Sequence, residues 1–140
     1  MTRVGSSKFS CPNCGNRQET QFWHSINVRL NPELRENLFK GEINIFKCES
    51  CNTVAYIGHP LLYNDMQRNF CVQYFPPELL KDESFLRQYS RDGRLKMEES
   101  LSGISEVSRY LFTPHIVFDL IEMVHYIEFR ERLFDIYEEI

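Results

Sequence analysis

Cys11-Pro-Asn-Cys14-Gly15 and Cys48-Glu-Ser-Cys51-Asn52 are the two stretches from which the fold of this 140-residue chain is read. Two residues between thiolates let one tight turn aim both sulfurs at a single ion, and two such turns complete a tetrahedron of soft ligands. The residue after each pair must often take positive φ so that backbone N–H groups can point at the sulfurs. Gly15 supplies that conformation without cost, and Asn52, the next-best residue for it, stands at the equivalent place in the second turn. The spacing selects Cys11, Cys14, Cys48 and Cys51 as ligands of one metal ion. Four thiolates close the coordination shell, whereas a catalytic zinc keeps a position open for water, so the site reads as structural.

Thiolate softness and tetrahedral geometry favour Zn2+; iron in a rubredoxin-like tetrathiolate is the alternative, because the donor set is identical. Two disulfides would suit a secreted chain, but a fifth cysteine, Cys71, makes the count odd, and MTRVGSSKFS lacks the apolar core of a signal peptide. A thioredoxin-type pair uses one C-x-x-C opening a helix, and neither pair here opens a helical pattern. Cys71 falls in the alternating run Asn69 to Phe75, where a buried structural cysteine is the expectation.

The chain is 42% hydrophobic and 14% aromatic, with only 6 Gly and 6 Pro, which is too apolar for disorder and too aperiodic for a low-complexity segment. No run approaches the roughly 18 apolar residues that a membrane span needs, and the expected location is the cytoplasm. Charge is uneven. Residues 1–60 carry 7 Lys/Arg against 5 Asp/Glu, and residues 61–140 carry 9 against 15. Four thiolates and one divalent ion bring the first stretch to about neutral, so the clustered basic face of a nucleic-acid binder is missing.

Outward from the cysteines, Phe22, His24, Ile26 and Val28 alternate with polar residues over 17–29 as a strand does. Asn31-Pro32-Glu33 predicts a helix start with Asn31 as N-cap, and Gly41 its end. Ile43 to Phe46 and Thr53 to Ile57 are short strands into and out of the second cysteine turn. Leu61 to Met66 reads as a loop, with Asn64-Asp65 as turn formers, before a strand over 69–75. Residues 78–89 predict a helix, and the polar stretch 90–106 a flexible excursion. Asp119 caps a final helical region whose face is Leu120, Ile121, Val124 and Ile127. A second stripe, Phe129, Leu133, Ile136, Tyr137 and Ile140, falls on the opposite side, which predicts a break into two helices near Glu128. The expected fold class is α+β: a zinc ribbon with an inserted strand and helix, a short antiparallel sheet and C-terminal helices. Residues 1–77 form the ribbon core, and 78–140 a mixed part packed on it.

CPNCG, the stretch QFWHSINVRLNPELRENLFKGEINIFKCESC, HPLLYNDM and HIVFDLIEMVHYI together resemble the CpXC domain family of bacterial and archaeal proteins, most closely over residues 9–75. The resemblance implies that the family's paired cysteines fall on Cys11, Cys14, Cys48 and Cys51. The second pair, CESC, lacks the family's proline, which implies a less rigid turn but leaves the thiolates in place. The resemblance speaks for fold and metal and assigns no activity.

No phosphate loop, GxSxG elbow or HExxH is present. His24 shares a face with apolar residues and reads as a hydrogen-bonded, half-buried histidine; His115 and His125 have no acid or nucleophile at a telling spacing. His59, beside Pro60 near the second cysteine turn, is the candidate to support the site. The expected function is a non-enzymatic interaction module, or small subunit of a larger assembly, meeting a protein partner or its own copy through Phe129, Leu133, Ile136, Tyr137 and Ile140. The rivals are an enzyme with a cleft at His59, Tyr63 and Asp65, a nucleic-acid reader using Lys8, Arg17, Arg29 and Lys47, and an iron electron carrier.

Overall fold

β1 (Arg3–Ser10) and β2 (Arg17–Asn27) form a long antiparallel hairpin in the computed structural model, which describes residues 2–96, 110 and 113–138. The ladder runs from Arg3 opposite Ser25 to Ser10 opposite Arg17, with an irregularity between Arg3 and Val4. Helix α1 (Glu33–Phe39) follows, then a separate hairpin of β3 (Ile45–Lys47) and β4 (Val54–Tyr56). β5 (Leu61–Asp65) returns to run parallel to β2, and β6 (Phe70–Tyr74) pairs antiparallel with β5. A 3-10 helix (Pro77–Lys81) and a one-turn helix α2 (Glu83–Leu86) come next. β7 (His115–Val117) then adds parallel to β6, and helix α3 (Leu120–Glu138) follows it. The sheet order is β1-β2-β5-β6-β7. The expected short antiparallel sheet is therefore a five-stranded mixed sheet, because the β2 to β5 and β6 to β7 connections are crossovers that return parallel.

Local signals mark the C-terminal end of α1 and the start of α3. Gly41 takes φ +74° just beyond α1, and its N–H donates to the Leu38 carbonyl. The Asp119 carboxylate accepts from the N–H groups of Ile121 and Glu122, which caps α3. Asn31 does not cap α1; its amide donates to Glu33, and the residue flanking the helix is Pro32.

Three other expectations give way. Leu61 to Met66 is not a loop: Leu61–Asp65 is a central strand with Leu61, Tyr63 and Asp65 fully buried. The turn formers sit at its end, where the Asp65 carboxylate accepts from the N–H groups of Gln67 and Arg68 and from the Arg68 guanidinium. The helix expected over 78–89 is split, since Asp82 adopts an extended conformation and caps a new turn through the Phe85 N–H. The third concerns the C-terminus: α3 does not break near Glu128. It has no Gly or Pro, and it keeps one side on the core through Met123 and Ile127, both fully buried, and then through Glu131, which forms a two-point ion pair with Arg35 of α1 at 2.7 and 2.8 Å. Ile121, expected on the packed face, is 67% exposed. Of the 90–106 stretch, residues 97–106 lie outside the described residues; within it, Ser90 and Arg94 close a small turn and Leu95 bridges to Tyr89.

The core joins Ile26, Leu61, Tyr63, Phe70 and Val72 of the sheet to Leu34 and Leu38 of α1 and to Met123 and Ile127 of α3. Among the described residues no helix is long and apolar enough to cross a membrane.

Candidate metal centre

Each cysteine pair occupies the turn of one hairpin, Cys11 and Cys14 between β1 and β2, Cys48 and Cys51 between β3 and β4. The two turns share one backbone scheme. The Cys11 N–H donates to the Asn16 carbonyl and the Cys48 N–H to the Thr53 carbonyl; the Gly15 N–H donates back to Cys11 and the Asn52 N–H back to Cys48. Gly15 has φ +78° and Asn52 φ +61°, the left-handed conformation expected at both places.

Backbone pairing does not join the two hairpins, and two side-chain amides stand in for it. Asn44, buried and at φ +56°, accepts from the Trp23 N–H at 2.6 Å and donates to the Trp23 carbonyl at 3.1 Å, as a neighbouring strand would. Gln18 of β2 donates to the Lys47 carbonyl and accepts from the Glu49 N–H. Between these bridges Phe46 packs with Cys11 and Cys48, flanked by Phe9 and Ile57. The result is that four sulfurs, 34 to 40 residues apart across the pairs, lie within 4.8 Å of one another.

Cys11 and Cys51 sulfurs are 3.6 Å apart, as are those of Cys14 and Cys48. That is far beyond the roughly 2.05 Å of a disulfide and close to the roughly 3.8 Å edge of a tetrahedron with 2.3 Å metal–sulfur bonds. All five cysteines are free. Donors surround the sulfurs: the N–H groups of Asn13 and Cys14 point at Cys11, the Asn13 amide at Cys51 from the other hairpin, the Asn16 amide at Cys48, and the Thr53 hydroxyl lies 3.0 Å from Cys51. The Thr53 hydroxyl, helped by its N–H and the Asn13 amide, lowers the Cys51 thiol to about 6. The Cys14 N–H does the most to lower Cys11. At Cys14 the Asn16 N–H also pulls downward, but Cys48, Cys51 and burial together push the thiol up to about 12. Thiols this close ionise unevenly without a cation, and a divalent ion is what allows all four to be thiolates at once. The cluster suits one metal ion.

Asn13, Asn16, Gln18, Asn44 and Thr53 were not singled out from sequence. The repeat C-x-x-C-[Gly/Asn]-[Asn/Thr] could have pointed to Asn16 and Thr53; nothing local announces Gln18 or Asn44. His59, expected near the site, takes another partner: its Nε2 lies 2.8 Å from Nδ1 of His24, with Phe22 edge-on to both rings. Burial and then the charge of His24 lower its pKa. Cys71 is buried away from the cluster and donates its thiol to the Tyr110 carbonyl at 3.0 Å, with burial raising it to about 12. His115 stacks on Tyr126, and burial lowers its pKa. Of the suggested cleft, Tyr63 packs against Phe70 in the core and Asp65 is taken up by its turn and by Arg68.

The chain belongs to the CpXC protein family, whose model matches residues 9–137, well past the stretch where the resemblance is visible by eye. No curated protein and no solved structure matches it.

Proposed function

We propose that this CpXC chain is a non-enzymatic interaction module of the cytoplasm, in which Cys11, Cys14, Cys48 and Cys51 hold one structural Zn2+ ion and turn the two hairpins into a zinc ribbon. The observation that carries the reading is the sulfur tetrad itself. Four thiolates use every position of a tetrahedral ion, and surrounding N–H, amide and hydroxyl donors stabilise their negative charge, which leaves no open position for a reacting water. When bound, such an ion contributes folding energy on the order of 10 kcal/mol.

The engagement of His59 with His24 and of Asp65 with Arg68 argues against a cleft at these positions. Lys8 sits opposite Glu19 in the β1–β2 ladder, which weakens a basic strip there. Assembly with another chain falls to the outer side of α3, where Phe129, Ile136 and Tyr137 are more than half exposed and Leu133 is half-buried; Ile140 lies outside the described residues.

Chelation tests the reading. Stripping the metal from colourless protein should loosen the two cysteine hairpins, seen as lost dispersion of their amide resonances. Resonances that stay put after metal removal would contradict a structural ion, and a visible iron–thiolate absorption in the purified protein would replace zinc with iron.

A further inference from the structure

A groove of about 570 Å³ opens where the end of α1, strand β4 and the first turn of α3 converge. Its size lies in the range of roughly 300 to 1,000 Å³ typical of ligand pockets. Leu38 and Ile43 are its buried floor, Leu120 and Val124 are half-buried beside them, and Tyr56 and Ile121, each 67% exposed, stand at its edge. Tyr56 is held across Gly41, where a Cβ would come within 3.2 Å of its hydroxyl.

The charge around the groove is mainly acidic. Asp119 lines the groove, the charge of Glu78 reaches Tyr74 in its wall, and Glu42 lies beside Gly41 and Tyr56 at its edge. Lys40, next to Phe39, is the nearby cation, and Glu122 lies towards His115 on the other side of α3. Among the described residues none of Glu42, Glu78 and Asp119, whose carboxylate also caps α3, is in an ion pair. Burial first, and then the charges of Glu78 and Asp119, raise the pKa of Tyr74 in the wall. An apolar floor inside an acidic rim complements one kind of segment better than others: apolar side chains fill the floor, while cations meet the carboxylates and the face of Tyr56.

We infer that this groove docks a peptide segment of a partner protein in which apolar side chains are interspersed with lysine or arginine. The inference rests on the interaction-module reading and gives it a partner chemistry, on a surface separate from the outer side of α3. An acidic or purely apolar segment is disfavoured, the first by repulsion from the rim and the second because the rim carboxylates would lose water without gaining a partner.

The test is fluorescence polarisation of the full chain with two short labelled peptides, one of leucine and lysine in an amphipathic helical pattern, the other with glutamate for every lysine. The leucine–lysine probe should bind and the leucine–glutamate probe should not. The double variant Tyr56→Ala/Ile121→Ser changes two exposed side chains, so the fold is spared, and should weaken binding at least about tenfold, or 1.4 kcal/mol. Val4→Ser, at an exposed side chain of β1 outside the groove lining, should leave this affinity unchanged. Equal binding of the two probes, no binding of the lysine probe, or an unaltered affinity of the double variant would overturn the groove. If the lysine probe fails while Ile136→Asp still changes the native mass, only the groove falls; if the probe binds while chelation leaves the fold intact, only the structural-metal reading falls.

Discussion

Replacing Asn44 should loosen the two hairpins, because its amide is one of the two bridges, with Gln18, by which one docks on the other. Asn44→Ala removes both hydrogen bonds to Trp23, made at 2.6 and 3.1 Å, at a site only 7% exposed. Each lost bond costs about 1 kcal/mol. Alanine must also adopt the φ of +56° that asparagine tolerates, which adds about 1 kcal/mol and brings the total to about 3 kcal/mol. For a domain of this size that lowers the melting temperature by about 10 °C. Asn44→Gly loses the same two bonds without the backbone strain, so its cost is about 2 kcal/mol and its shift about 7 °C. Trp23 is the only tryptophan in the chain and the direct partner of Asn44, so its fluorescence reports the transition. Asn44→Ala should also release metal faster to a competing chelator, since the second hairpin is then held only by the Gln18 bridge and the ion. An Asn44→Ala protein that melts within about 2 °C of the parent, well inside the shift argued from the lost bonds, would refute the bridging role. Equal shifts for alanine and glycine would refute the strain contribution.

Ile136→Asp should reduce the native mass seen by light scattering while leaving the melting temperature nearly unchanged, since Ile136 is 57% exposed and faces away from Met123 and Ile127; an early melt at unchanged mass would assign the stripe to internal packing. Gly5→Ala places a Cβ 2.5 Å from Nε2 of His24, so that ring must swing, and the pKa of His59, now held down by burial and by His24, should rise in an NMR titration; an unmoved His59 would show that the pair does not depend on Gly5. Cys71, raised to about 12 by burial from an ordinary value of 9.0, favours folding at neutral pH. That contribution is complete below pH 9 and is lost as pH rises from 9 towards 12, so Cys71→Ser should flatten the alkaline end of the stability curve; a parallel curve would deny it.

The parts of the structure written in local chemistry were legible from sequence. Positive φ at Gly15 and Asn52, the stop at Gly41 and the cap at Asp119 each follow from one residue's own conformational or hydrogen-bonding preference. The cysteine spacing likewise named the four residues whose sulfurs converge. What was hidden depends on distant partners. β1 reads RVGSSKFS, with too few apolar residues to alternate, and forms because β2 offers it a full ladder. Asn64 and Asp65 look like turn residues, yet both are buried in β5, and the turn that Asp65 caps lies just beyond the strand. Period-two alternation marks a strand but not its neighbour, so the parallel pairings of β2 with β5 and β6 with β7 left no trace. A break in α3 follows only if each apolar stripe is buried within the chain, whereas Phe129, Ile136 and Tyr137 of the outer one are exposed.

The central claim, that four named thiolates hold one structural zinc, is tested most directly by native mass spectrometry of the intact chain and of single Cys→Ser variants. The parent protein should carry one zinc per chain, Cys71→Ser should carry the same, and Cys11→Ser, Cys14→Ser, Cys48→Ser and Cys51→Ser should each lose it. A variant lacking Cys48 that keeps its full complement of zinc, or a Cys71→Ser protein that loses it, would contradict the assignment.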